Sequence, residues 1–109
     1  MSKVKTEILG PVISDFLKYE ATPQTRVAVA ADTGTKAGKF VEYPLRGKKL
    51  VALTDENDGK VVVQPLNCII DLSKVADADI KTATTGKTLD ALKKEGDAYG
   101  IVYQGTPAA

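Results

Sequence analysis

The sequence predicts a mainly β protein with a little α: a small β-sandwich or barrel-like domain with an extended N-terminal arm and one short C-terminal helix. Three observations carry this. Short apolar runs recur at roughly 8–12-residue spacing with Gly or Pro between them, the pattern of a small all-β fold. Only residues 89–95 carry a full set of helix start and stop signals. The first stretch, residues 1–20, is apolar but cut by Gly10-Pro11. Neither half of it reaches the roughly 12–15 residues that an isolated helix needs in water.

The arm comes first in order. Ile8, Leu9, Val12, Ile13, Phe16 and Leu17 make it sticky, while Pro11 lacks a backbone donor and does not suit a central strand. Such a segment is expected to gain order by docking onto another surface. A competing expectation is a helix over 13–20 packed on the chain's own sheet, because Phe16, Leu17 and Glu20 also fit helical spacing.

Residues 21–109 read as a single β-rich domain. Residues 26–30 (RVAVA) alternate as a half-buried strand should, and Asp32-Thr33-Gly34-Thr35 supplies turn chemistry. A second strand is expected over 39–43, closed by Pro44 and followed by the polar turn Arg46-Gly47-Lys48-Lys49. Further strands are expected at 50–53, at 60–63 after an acidic turn, and at 66–72 around a buried Cys68-Ile69-Ile70 centre. Residues 73–86 fit a strand or a short helix through Val75, Ala76, Ala78 and Ile80, and 82–88 a threonine-rich loop. In the helix at 89–95, Thr88 stands at the N-cap, Asp90 in the first turn, Lys93 and Lys94 in the last, and Gly96 as terminator. Residues 99–103 read as a last strand, and 105–109 as a frayed tail.

Composition excludes several chemistries. With no His and a single Cys, the chain has no internal disulfide, no Cys/His zinc site and no His-based triad. Fifteen basic against fourteen acidic residues give +1, too little for a long-range field toward DNA or an anionic membrane. No apolar run approaches the roughly 20 residues of a membrane span, and no signal peptide is expected.

The local constellations are weak. Gly86-Lys87-Thr88 lacks the glycine five residues earlier that a phosphate loop requires; Lys81 stands there. Fitting the acidic turn to a calcium loop puts Thr54 first and Pro65 twelfth, and neither supplies the carboxylate needed. Lys48-Lys49 lacks the flanking residues of a biotinyl carrier turn. Cys68 has no acid–base partner nearby in sequence, so inert packing is expected. Two rival functions stay open: a small nucleic-acid-binding module using Arg46, Lys48 and Lys49, and a small oligomeric enzyme with carboxylate chemistry at a subunit junction.

Three stretches carry a family resemblance. They are Phe16-Leu17-Lys18-Tyr19-Glu20 with the polar run 22–26; Thr35-Lys36-Ala37-Gly38-Lys39-Phe40 with Lys48-Lys49-Leu50-Val51 and Asp58-Gly59; and Ala98-Tyr99-Gly100-Ile101-Val102-Tyr103 after the helix. In their order, and in the total length of the chain, they resemble the head decoration (capsid cement) proteins of tailed bacteriophages, of the lambda type. Lys36 stands where that family often has an apolar residue. The resemblance implies a virion protein made in the bacterial cytoplasm, with no enzymatic activity. It implies a homotrimer on the outer surface of the expanded capsid, bound to the major capsid protein. The capsid-contacting residues would be Ile8, Leu9, Pro11, Val12, Ile13, Phe16, Leu17 and Tyr19. No cofactor, nucleic acid, membrane or small-molecule substrate is implied.

Overall fold

The computed structural model describes residues 13–84 and 86–109. They form a small mixed α/β domain with a Cα radius of gyration of 13.3 Å. Seven short strands build three small sheets. The first holds β1 (Leu17–Glu20), β6 (Cys68–Asp71) and β7 (Ile101–Gln104), with β6 in the middle. The second pairs β2 (Val27–Ala30) with β5 (Lys60–Val63), and the third pairs β3 (Phe40–Tyr43) with β4 (Lys48–Val51).

All pairs are antiparallel except β6–β7, which is parallel. A parallel pair cannot be joined by a hairpin; it needs a crossover of a dozen or more residues, usually helical. Residues 72–100 supply it with two helices, α1 (Asp77–Ala83) and α2 (Leu89–Asp97). This corrects the expectation of a mainly β sandwich or barrel-like domain with one short helix: the described residues form a mixed α/β domain of three small sheets and two helices. α1 begins on Asp77 and Asp79, ends on Lys81, carries a Lys81–Asp77 ion pair at 3.0 Å, and anchors itself through buried Ile80.

In α2 the Thr88 hydroxyl accepts from the Ala91 amide at 3.0 Å, as an N-cap should. Gly96 does not end the helix. It lies inside it, where a Cβ would run into the Tyr103 ring and the Ile101 carbonyl, so its role is close approach to β7. The left-handed turn comes at Gly100, φ +74°.

Three further expectations shift. The buried run Leu50–Leu53 does not stay on one ladder: after β4, Ala52 bonds back to Lys39 and Leu53 donates to the Val62 carbonyl at 2.8 Å, tying the third sheet to the second. The tail is not frayed, since the Ala108 amide and carbonyl bond to Val75 and Asp77 at 2.9 and 2.8 Å. Finally, the domain begins before residue 21. Residues Ile13–Asp15 form a 3-10 turn, and β1 is an edge strand of the first sheet rather than part of an arm.

One core joins the sheets and helices. Phe16, Leu53, Leu72, Ile80, Leu92 and Ile101 are its largest fully enclosed side chains. At ~25 cal/mol per Å² of apolar surface, enclosing a side chain such as Phe16 stabilises the fold by roughly 1.5–3 kcal/mol.

Candidate docking face

The candidate site is built on β1. Ladder partners share a face of a sheet. Leu17 pairs with Ile70, and Ile70 with Tyr103, giving a row that points into the core. In a regular strand Tyr19, two residues on, would point the same way as Leu17. The β1–β6 register shifts between Leu17 and Tyr19, so one residue of β1 is extra and the sense of the side chains inverts. Tyr19 therefore pairs with Ile69, and Ile69 with Val102, across the outer face. Tyr19 is 58% exposed, Val102 is 50% exposed and Ile69 is half-buried. Lys18, Asp71 and Gln104 border this apolar row; Lys18 bonds to the Ser14 carbonyl at 2.8 Å and lies 3.9 Å from Asp71.

The bulge sorts the expected contact residues. Tyr19 is presented outward. Phe16 and Leu17 are not: at 2% and 7% exposure they belong to the protein's own core, which corrects their assignment to a partner surface. Phe16 lies against Gly38, where a Cβ would collide with its ring. Ile13 is half-buried against the same core. Ile8, Leu9, Pro11 and Val12, together with Gly10-Pro11, lie outside the described residues. Sequence reasoning missed Ile69 and Val102. Alternation in Cys68-Ile69-Ile70 was the available signal, because in a strand only every second residue of such a run faces the core.

A polar pin fixes the far end of β1. Glu20 accepts from Arg26 through two nitrogens and from the buried Gln64 amide at 2.7 Å. Gln64 also donates to the Thr22 carbonyl, and its oxygen accepts from the Thr25 hydroxyl at 2.6 Å. The Arg26 hydrogen bonds, helped by Gln64 and opposed by burial, hold the Glu20 carboxyl below its ordinary range.

The other motifs are absorbed by the fold. Glu56 in the acidic turn accepts from the Gly34 and Gly59 amides, which lowers its pKa, and Asp55 accepts from the Ala37 amide at 2.9 Å. The acidic turn thus clamps a neighbouring loop. Arg46 stacks over Tyr99 at 3.4 Å and over Tyr43 at 5.1 Å from the ring centres, and donates to the Pro65 carbonyl at 2.7 Å. Its guanidinium ties the β3–β4 turn to residues beside β6 and β7. Burial pushes the Cys68 thiol up to about 11, which suits inert packing. Among the described residues, no three His, Cys, Asp or Glu side chains come together as a metal site.

Comparison of the chain with protein-family models, with curated proteins and with solved structures found no match.

Proposed function

We propose that the protein is a structural virion component: a decoration protein that binds the outside of an expanded bacteriophage capsid as a homotrimer and stabilises it against the pressure of packaged DNA. The observation that carries this reading is the Tyr19–Ile69–Val102 row. It is an outward apolar strip on a sheet whose edge strand, β1, follows directly from the apolar N-terminal segment. A strand of the major capsid protein laid beside this edge would receive backbone bonds and an apolar contact from contiguous residues. Ile8, Leu9, Pro11 and Val12 extend the same contact along the chain, and the three-stretch family resemblance supports the same partner.

The work done is thermodynamic. A ligand that binds only the expanded lattice stabilises that state by mass action, and many copies multiply the effect. No bond is made or broken, and no cofactor takes part. The nucleic-acid reading loses its central residue, because the Arg46 guanidinium is engaged by Tyr99, Tyr43 and Pro65 within the fold. The carboxylate-enzyme reading asked for an acid with a raised pKa, whereas Glu20 and Glu56 are shifted down.

Sedimentation of expanded, undecorated heads with the protein at about 1 μM tests this, since useful affinities in such assays start near that value. The protein should pellet with the heads. Tyr19→Ser with Val102→Ser should keep the fold and lose binding by roughly tenfold or more, as truncation of interface anchors does. Failure of the unaltered protein to pellet would end the reading.

A further inference from the structure

The β3–β4 turn holds a cation in an apolar setting. It carries Leu45, 88% exposed, and Arg46, which is half-buried. With Tyr43, Leu66 and Tyr99 they line an open hollow of about 370 Å³, and Arg46 is the one charged residue among these five. The Tyr99 and Tyr43 rings lie against its guanidinium, and the Pro65 carbonyl takes one N–H donor. Among the described residues its other side-chain N–H groups meet no acceptor, and no carboxylate lies within ion-pair distance. Arg46 also borders a narrow crevice with Lys48, Lys49 and Glu95, three cations to one acid, so the surroundings stay positive. A cation partly withdrawn from water and without a counter-ion is costly. The rings that hold it in place also reduce the entropy lost when an anion arrives.

We propose, resting on the capsid reading above, that this hollow takes an Asp or Glu side chain of the major capsid protein, with an aliphatic neighbour of that residue packed against Leu45, Leu66 and Tyr99. Charge complementarity selects an anion. The planar N–H fork of arginine selects a carboxylate, which matches it in shape. Leu66 and Tyr99, each 38% exposed, and Leu45 offer apolar surface to the rest of an acidic segment. A hydrated phosphate backbone has no use for such a wall. A guanidinium pinned by two rings and a carbonyl cannot track successive phosphates, but one fixed cation suffices for one carboxylate. Position agrees with the outer row. Leu66 and Tyr99 each stand three residues ahead of the paired Ile69 and Val102, roughly 10 Å of extended chain, so one capsid segment reaches both.

Sedimentation with expanded heads tests this through Leu45, whose exposed side chain can be changed without loss of packing. Leu45→Glu sets a carboxylate of the chain's own beside Arg46. It should weaken binding by roughly tenfold or more relative to Leu45→Gln, a neutral side chain of the same shape. Arg46→Met keeps an unbranched stem against the rings, removes the charge, and should bind as weakly as Leu45→Glu. Combining Arg46→Met with Leu45→Glu should weaken binding no further, because both act on one ion pair. Effects that multiply instead would overturn the proposal. Equal binding of Leu45→Glu and Leu45→Gln, with the unaltered protein still pelleting, would also overturn it and leave the capsid reading standing. An unaltered protein that fails to pellet ends both. Direct binding of double-stranded DNA that Arg46→Met removes would make the hollow a phosphate site, and overturn the carboxylate assignment.

Discussion

The two sheet edges, β1 and β2, have been treated differently by the sequence. β1 carries Lys18 and Glu20, contains a bulge, and is pinned at both ends, by Phe16 in the core and by the Glu20–Arg26–Gln64 cluster. These are the devices that keep an edge from pairing indiscriminately. β2 has none of them: it is four small or branched apolar residues with outward backbone groups at Ala28 and Ala30. A guarded edge can present a chosen side chain, here Tyr19, while restricting what pairs with it. An unguarded edge leaves its backbone groups open to any strand that reaches it. The difference lies in what each edge offers: β1 a chosen side chain, β2 bare backbone groups at Ala28 and Ala30.

The most severe way to break the guarded edge is at its anchor. Phe16→Ala empties a fully enclosed aromatic site and should destabilise the protein by about 3–5 kcal/mol. Urea denaturation measures this. Were Phe16 part of an arm, the same change would leave the midpoint in place.

The pin at the other end of β1 comes next. Glu20→Gln removes the charge from a hydrogen-bonded pair that is mostly shielded from water, and should lower stability by roughly 2 kcal/mol. The pH dependence has a definite sign. The folded Glu20 pKa lies below the ordinary 4.5, so its stabilisation is complete above that value and drains away as pH falls through the folded pKa. Unfolding between about pH 5 and pH 2 should therefore show a steeper loss in the unaltered protein than in Glu20→Gln.

Gly100 tests the sheet that carries the outer row. Its φ is +74°, and a Cβ there would strike the Asn67 side chain, which sits at the start of β6. Gly100→Ala should lower stability by about 1–3 kcal/mol, read from the thermal midpoint. It should also loosen β6 against β7, next to Ile69 and Val102.

How much of this was legible in the sequence follows from range. Alternation in 26–30 and short apolar runs bounded by turn residues elsewhere were enough to find β2, β3, β5 and β6, and Thr88 announced α2 as its cap. Gly96 misled because a glycine can serve a turn or a close approach, and only the position of Tyr103 decides which. Residues 73–86 fitted a strand or a short helix equally well, and what decides for the helix is the crossover demanded by the parallel β6–β7 pair, a contact between distant segments. The outer Tyr19–Ile69–Val102 row did not show in the sequence for the same reason. Tyr19, Ile69 and Val102 are far apart in the chain, and even Tyr19 faces outward only because one extra residue separates it from Leu17. Without the bulge, Phe16, Leu17 and Tyr19 read as one sticky patch; with it, two belong to the core and one to the surface.

The smallest expected stability effect bears most directly on the comparison. Ala28→Lys places a charge on the exposed side of the unguarded edge, where no packing is lost, so global stability should stay within about 0.5 kcal/mol of the parent. Its consequence should lie elsewhere. A lysine on an edge strand opposes the approach of another strand, whereas the free backbone groups of Ala28 and Ala30 otherwise invite one. Light scattering on concentrated samples held a few degrees below the thermal midpoint should show slower aggregation for Ala28→Lys than for the parent. Lys18→Ala, which removes one guard from an edge that keeps its bulge, its second charge and both pins, should change the rate much less. Equal acceleration on removing Lys18, with no protection from Ala28→Lys, would mean the two edges are equivalent and the contrast between them has no physical consequence.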